Sequence, residues 1–198
     1  MLDKIKDLIM KQNGYHRILI SVILILFGLN ATAQKLAIKT NMLYWCNGST
    51  NLGVETVLSE RLSLELSGSF NPVNKIGDDL SFNHVNGQVE LRYWPSKTFE
   101  RHFLGLQGIY ANYDVKNINL FNTMKDKRYN GSLYGGGITY GYHWAIGERF
   151  GIETGLTAGY FSFKYDKYQT TDQTNLGKYK AWYLGITKVN LSLIYFLK

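Results

Sequence analysis

Apolar and polar residues alternate at every second position along most of this chain. In the segment 61–70, Leu62, Leu64 and Leu66 share one face, whereas Ser63 lies on the other. A period of two is typical of β-strands, because successive side chains point to opposite faces. The pattern predicts eight strands, at about 35–45, 51–58, 61–70, 84–94, 102–115, 131–146, 149–168 and 179–198.

The stretch "YGGGITYGYHW" (134–144) tests this interpretation, because three consecutive glycines are also typical of phosphate-binding loops. A dinucleotide fingerprint needs a sixth-position glycine followed by a helix. Counted from Gly135, the sixth position is Tyr140, and alternation continues beyond it. The stretch is therefore predicted to be a strand with Gly135, Gly137, Thr139, Gly141 and His143 on one face and Ile138, Tyr140, Tyr142 and Trp144 on the other.

The connections between the predicted strands alternate in length. On one side they are short, at 59–61, 95–100 and 147–148, and on the other they cover 46–50, 71–83, 116–130 and 169–178. Short turns at one end, longer loops at the other and an even strand number are typical of outer-membrane barrels. We therefore predict an all-β fold, an eight-stranded antiparallel up-and-down transmembrane (outer-membrane) β-barrel.

Alternation alone does not say which face points outwards, since a soluble lipocalin-like barrel also alternates. Two features favour lipid outside: the polar face combines small residues with opposite charges, and aromatic residues gather near the strand ends. The aromatic residues near strand ends are Tyr44, Trp45, Tyr93, Trp94, Tyr142, Trp144, Tyr195 and Phe196.

The N-terminal segment carries an export signal of its own. A basic stretch is followed by the apolar run 18–29, and Ala31 and Ala33 have the small-residue spacing of a cleavage site. We predict a cleaved signal peptide at 1–33, cut after Ala33, and a barrel domain at 34–198 located in the cell outer membrane, with outer-membrane lipid as its surroundings. Residues 1–33 hold four basic and two acidic residues, so the rest carries a net charge of +5. That charge forms no block of the kind that nucleic-acid binding uses, and no nucleic-acid partner is expected.

Several motifs resemble one known family. They are "KTNMLYW" (39–45), "NLGVE" (51–55), "LSERLSLELSGSFNP" (58–72), "RYW" (92–94), "YGGGITYGYHW" and "GITKVNLSLIY" (185–195). Together they resemble the outer-membrane proteins of the Bacteroides group catalogued as domain of unknown function 3575. The resemblance implies an outer-membrane β-barrel, often encoded near fimbrial genes, with no established activity or cofactor. Cys46 and Val73 depart from the family pattern, and the role of Cys46 stays open.

Charged residues on the polar faces form the first candidate site. Because the interior of an eight-stranded barrel is just wide enough for side chains, buried charges there should pair. This lumenal charge cluster is predicted to be a structural plug, with a gated narrow pore as the alternative. Its members are Glu55, Glu65, Glu90, Arg92, Glu153, Lys39 and Lys188.

The second candidate is the loop 116–130, which is basic and holds apolar residues at its tip. We expect external loops of such a scaffold to carry its interactions. The partner would be a surface or fimbrial protein, and surface polysaccharide or anionic lipopolysaccharide are alternatives for this loop and for the polar stretch 165–180. The candidate partner loop consists of Leu120, Phe121, Met124, Lys125, Lys127 and Arg128.

The remaining chemistry is sparse. His102 and His143 could approach each other at the short-turn end, but two histidines make a weak metal site. A lipid-acting enzyme would use His84 near the long-loop end, a less favoured hypothesis. We therefore expect no enzyme activity, no catalytic residue, no cofactor and no metal, and favour a structural or surface-interaction scaffold.

Overall fold

The computed structural model describes residues 36–71, 81–116, 127–169 and 174–197. The chain divides into Met1–Gln34 and Lys35–Lys198, and every described residue lies in the second unit. The predicted signal peptide and its cleavage after Ala33 lie outside the described residues. No helix among the described residues is long and apolar enough to span a membrane.

Eight antiparallel strands close into a barrel in chain order, with β8 paired to β1. The predicted fold class of eight antiparallel strands in a closed ring is thus confirmed. The strands are β1 (Leu36–Asn41), β2 (Thr50–Ser59), β3 (Leu62–Asn71), β4 (Ser81–Tyr93), β5 (Arg101–Lys116), β6 (Lys127–Ile146), β7 (Phe150–Gln169) and β8 (Asn175–Leu197).

Besides β4 and β8, which begin at Ser81 and Asn175 instead of the predicted 84 and 179, the bounds differ from the predicted ones by more than one residue at two places. The strand prediction for 35–45 is wrong at its end, because Met42–Trp45 form a short helix, α1, capped by the Asn41 side chain. The loop prediction for 116–130 is wrong from Lys127 onward, where β6 already begins. In both places the apolar alternation is weak, so the pattern could not locate the strand end.

The two faces of the wall have opposite chemistry. Large apolar side chains face outwards: Leu106 is 65 % exposed, Ile138 65 %, Leu184 69 % and Trp182 70 %. The buried residues on the inner face are mostly polar or charged, as Glu55 and Glu153, both 0 % exposed, illustrate. This arrangement is the reverse of a soluble barrel with an apolar interior.

The aromatic residues near strand ends divide between the faces. Trp45, Tyr93 and Trp144 are exposed, as the girdle prediction requires. The prediction is wrong for Trp94, which is fully buried, and for Phe196, which packs against the buried floor of the barrel. Each is the sequence neighbour of an outward-facing residue, and adjacent residues of a strand point to opposite faces.

The glycines of "YGGGITYGYHW" lie where β6 and β7 approach each other closely. A Cβ atom added at Gly135 would lie 2.3 Å from the Tyr160 carbonyl oxygen, and one at Gly137 would lie 2.7 Å from that of Ala158. On β4, by contrast, a Cβ at Gly87 would meet nothing within 4 Å. The stretch is a strand, as predicted, and its inward-facing glycines let two strands approach more closely than side chains allow.

Candidate functional site

An aromatic floor closes the short-turn end of the lumen. Trp94 contacts Phe99 and Phe103, with ring centroids 5.6 Å and 5.0 Å apart. Phe99 lies in the β4–β5 connection with a positive φ of 68°, a conformation uncommon for a non-glycine residue. His143 lies among these rings, 6.3 Å from Trp94 and 6.1 Å from Phe99. The short connection predicted at 95–100 therefore contributes an apolar side chain, that of Phe99, to the floor. In the sequence, the presence of Phe99 is the one sign of this role.

The charge cluster lies above this floor. Strand register places Glu55, Glu65 and Glu90 side by side on three neighbouring strands. Like charges directly opposite each other destabilise a sheet, so cations must lie between them. All three residues are at most 6 % exposed.

Arg92 and Lys39 are those cations. Arg92 contacts four carboxylates: Nη1 is 2.9 Å from Glu55 and 3.0 Å from Glu153, Nη2 is 2.7 Å from Glu65, and Nε is 3.0 Å from Glu90. Its guanidinium also stacks on Phe103, 4.4 Å from the ring centroid. Lys39 Nζ lies 2.5 Å from Glu55, 3.2 Å from Glu65 and 2.7 Å from Glu153. The sequence-predicted cluster is therefore brought together almost completely.

Lys188 makes a longer ionic contact than the other cations of the cluster. Its Nζ lies 3.7 Å from Glu90 Oε2, and that oxygen accepts no hydrogen bond among the described residues. The seven residues carry four negative and three positive charges, so the cluster has a formal net charge of −1. Glu90 therefore has the weakest set of partners of the four carboxylates.

A second layer covers the cluster from the long-loop side. Gln88 donates to Tyr44 of α1 over 3.3 Å, so this tyrosine turns towards the lumen and not into an aromatic girdle as predicted. Thr139 and Thr157 bond to each other over 2.9 Å. A cavity of about 20 Å³ between Tyr44, Lys39 and Lys188 has room for about one water molecule. The lumen at this level is thus filled mainly by protein side chains.

Beyond the cluster, four strands continue as what we call the projecting sheet, residues 111–116, 127–133, 161–169 and 175–181. Its 29 positions include seven basic and two acidic residues, a net charge of +5. That equals the net charge of the whole chain after residue 33. The basic residues are Lys116, Lys127, Arg128, Lys164, Lys167, Lys178 and Lys180, and the acidic ones are Asp114 and Asp166.

Tyrosines form a row across the projecting sheet. Register aligns Tyr113, Gly131, Tyr165 and Tyr179. Tyr165 and Tyr179 stack with centroids 5.9 Å apart, and Lys167 Nζ lies 5.6 Å above Tyr179. The four aligned residues border an open cavity of about 820 Å³, within the range of ligand sites.

The predicted partner loop falls only partly within the described residues. Leu120, Phe121, Met124 and Lys125 lie outside them. Lys127 and Arg128 begin β6. Arg128 forms a bidentate ion pair with Asp114 on β5, in which Nε lies 2.8 Å from Oδ1. Arg128 therefore holds two strands together, a role that the loop interpretation did not assign to it.

The histidines do not converge. His102 faces outwards and bonds to Tyr140 over 2.7 Å, whereas His143 is 3 % exposed inside the floor. They are near in the sheet but on opposite faces, so the suggested approach of the two side chains is wrong. His84 lies 3.1 Å from Ser69, and the described residues contain no group of three metal-ligating side chains.

The outer edge of β8 is open along part of its length. β1 pairs with β8 only from Ser192 to Leu197. Just beyond, the Asn41 side chain bonds to the Val189 carbonyl and the Leu191 amide, where a strand would otherwise continue. From Lys178 to Val189 this edge has no strand partner among the described residues.

The family model described as "Protein of unknown function (DUF3575)" matches residues 19–197. The chain belongs to this family. The resemblance noted from its motifs is therefore confirmed. No curated protein matches the sequence. A solved structure, a major outer membrane protein from Thermus thermophilus, is similar over 83 % of this chain and 100 % of that one, with a TM-score of 0.47 and 13 % identity.

Proposed function

We propose that this family member is an outer-membrane barrel that acts as a structural and surface-interaction scaffold. The observation that carries the proposal is the reversal of its two faces. Six buried charged side chains and the partly buried Lys188 form a network inside, and large apolar side chains such as Trp182 and Leu184 are exposed outside. A closed wall with an apolar exterior suits hydrocarbon, because each strand pairs with two neighbours along at least part of its length and the outer face presents mainly apolar side chains to lipid.

The height of the apolar band supports a membrane location. On β7 the outward residues run from Phe150 to Tyr160, both about half exposed. Ten steps of about 3.3 Å at a tilt of about 45° span roughly 23 Å, close to the band of about 25 Å in outer-membrane barrels. Tyr160 and Trp182 would then mark one membrane interface.

The projecting sheet supports an interaction role. Past Tyr160, β7 continues to Gln169, which adds roughly 20 Å outside the band. The open edge of β8 offers backbone groups for strand addition, a common mode of protein recognition. The proposed partner is a surface protein, such as a fimbrial component, that adds a strand along Lys178–Ala181.

The filled lumen favours this function over a pore. Arg92 is 1 % exposed and contacts four carboxylates, and the aromatic floor lies between it and the short-turn end. We expect the purified barrel to conduct no ions in a planar bilayer. Steady conductance that changes on Glu90→Gln would support the gated pore in place of the scaffold. A catalytic role forms no part of the proposal.

The location is tested by separating the membranes of producing cells and running the outer membrane on a detergent gel, boiled and unboiled. A compact barrel should sediment with the outer membrane, resist carbonate extraction and migrate faster when unboiled. Release by carbonate together with unchanged mobility would contradict the proposal.

The partner is tested by photo-cross-linking in intact cells. A photoreactive residue replaces Tyr179 on the β8 edge or, as the matched control, Tyr129 on the interior strand β6. A partner strand along β8 should give an adduct from position 179 and far less from 129. Equal yields, or no adduct from either position, would contradict strand addition at this edge.

A further inference from the structure

Two lysines face each other on the outside of the projecting sheet. Lys164 on β7 and Lys180 on β8 are direct cross-strand partners, and both are exposed. Lys164 Nζ lies 5.3 Å from the ring centroid of Tyr134, which is 45 % exposed. The pair therefore points away from the lumen.

No carboxylate among the described residues neutralises this pair. The residue next to Lys164 on β6 is Ser132, and the nearest acidic residue along β7, Asp166, is opposite Lys178. The ion pairs among the described residues include neither Lys164 nor Lys180. Directly opposed like charges destabilise an antiparallel pair, so this arrangement suits a bound anion that lies between the two ammonium groups.

The height of the pair indicates which anion. Lys180 occupies the next outward position beyond Trp182, and Lys164 is two outward positions beyond Tyr160. The rings of Tyr160 and Trp182 stack with centroids 6.4 Å apart and end the apolar band. Aromatic girdles lie at the headgroup level of a membrane, so the ammonium groups lie at the level of lipid phosphates.

Hydroxyl groups complete the set of donors. The Tyr134 ring lies beside Lys164, and Ser162 is its direct cross-strand partner on β7. Lysine provides a point charge for phosphate, and hydroxyl groups add directed hydrogen bonds. We propose that Lys164 and Lys180, assisted by Tyr134, bind a phosphate group of the phosphorylated glycolipid in the outer leaflet around the barrel. The inference rests on the proposed membrane location.

The test uses the full mature barrel, purified in neutral detergent, with diphosphorylated lipid A as the probe and native mass spectrometry as the readout. In the variant Lys164→Gln/Lys180→Gln, the Kd for the probe should rise by about 30-fold, roughly fivefold for each lysine near the surface. The control Lys97→Gln/Arg149→Gln removes two exposed charges at the short-turn end and should leave the Kd within about threefold. Lys164→Arg/Lys180→Arg should restore binding.

Two further probes separate the sources of phosphate. Lipid A without phosphate should bind as weakly to the original protein as the phosphorylated form binds to the Gln variant. Inorganic phosphate should compete only at concentrations far above that of the lipid. Equal loss in the control variant, unchanged binding in Lys164→Gln/Lys180→Gln, or inorganic phosphate binding as tight as lipid would overturn the inference.

The gel and fractionation assay keeps this result separate from the proposed function. A Gln variant that still migrates as a compact barrel and sediments with the outer membrane, yet binds lipid A unchanged, contradicts the phosphate site alone. A protein that never reaches the outer membrane contradicts the proposed function itself. If the double variant does not fold, Lys180→Gln alone should still raise the Kd about fivefold.

Discussion

Neighbouring charges of the same sign are neutralised by ion pairs in the lumen but not on the projecting sheet. In the lumen, Glu55, Glu65 and Glu90 lie side by side, yet Arg92 and Lys39 link these three residues and Glu153 through seven ion pairs. On the projecting sheet, Lys164 faces Lys180 with no bridging carboxylate among the described residues. The difference lies in the solvent, because an unpaired charge is costly in a low-dielectric interior and tolerable in water.

The contrast implies that the two regions should respond very differently to the same kind of substitution. Removing a charge from the lumen leaves its partners buried and uncompensated, which is strongly destabilising. Removing one from the sheet changes little in stability and acts mainly on what the sheet binds. Substitutions of matched chemistry at the two places can test this difference directly.

The largest effect is expected for Arg92→Met. The change removes four ion pairs and leaves four carboxylates with two lysines, so we expect a loss of about 3–5 kcal/mol or failure to fold. The matched control is Arg128→Met, whose pair with Asp114 is partly exposed and should contribute about 0–1 kcal/mol. Urea unfolding in detergent micelles measures both. Similar losses in the two variants would contradict the contrast between buried and exposed pairs.

A smaller difference should appear between two carboxylates of the same cluster. Glu55 bonds to Lys39, Arg92 and Ser63, so Glu55→Gln should cost about 3 kcal/mol. Glu90 Oε2 accepts no hydrogen bond among the described residues, and Glu90→Gln removes the excess negative charge, so a change below about 1 kcal/mol is expected. The same unfolding assay decides, and an equal cost for both would show that the difference in their partners has no bearing on stability.

The fold could be predicted from the sequence because an apolar outer face and a polar lumen impose alternation. Leu62, Leu64 and Leu66 face outwards and Ser63 and Glu65 inwards, as the period of two requires. The same rule located the lumenal charges on the inner face before any contact was known. Their pairing followed from the narrow interior of an eight-stranded barrel, which leaves buried charges no partners but one another.

The rest could not be predicted because alternation fades where the strands leave the apolar band. Lys127 and Arg128 belong to a strand but have water or polar groups on both sides, so their sequence looks like a loop. The inward positions of Trp94 and Phe99 could not be predicted for a different reason. A large apolar side chain inside a polar lumen departs from the alternation of polar and apolar residues. Phe99 is turned inwards only by the backbone conformation of the β4–β5 connection.

The close approach of β6 and β7 should be sensitive to a single methyl group. In Gly135→Ala the new Cβ would lie 2.3 Å from the Tyr160 carbonyl oxygen and 2.4 Å from the Phe161 ring, so we expect a loss of about 1–3 kcal/mol. The control Gly87→Ala has free space around its Cβ and should change stability by less than about 0.5 kcal/mol. Comparable unfolding midpoints for the two variants would mean that the two strands move apart easily.

The smallest change in stability is expected at the lysine pair, and the test is whether that change is a gain or a loss. Lys180→Glu turns a like-charge pair with Lys164 into an opposite-charge pair, so in neutral detergent we expect a gain of about 0.2–1 kcal/mol that shrinks at high salt. Lys178→Glu is the matched control and should lose stability, because it places a carboxylate opposite Asp166. When phosphorylated glycolipid is added to the micelles, a protein that binds it through both lysines gains stability by mass action. Lys180→Glu should then become less stable than the original protein. If Lys180→Glu remains the more stable of the two in the presence of this lipid, the lysine pair does not bind its phosphate.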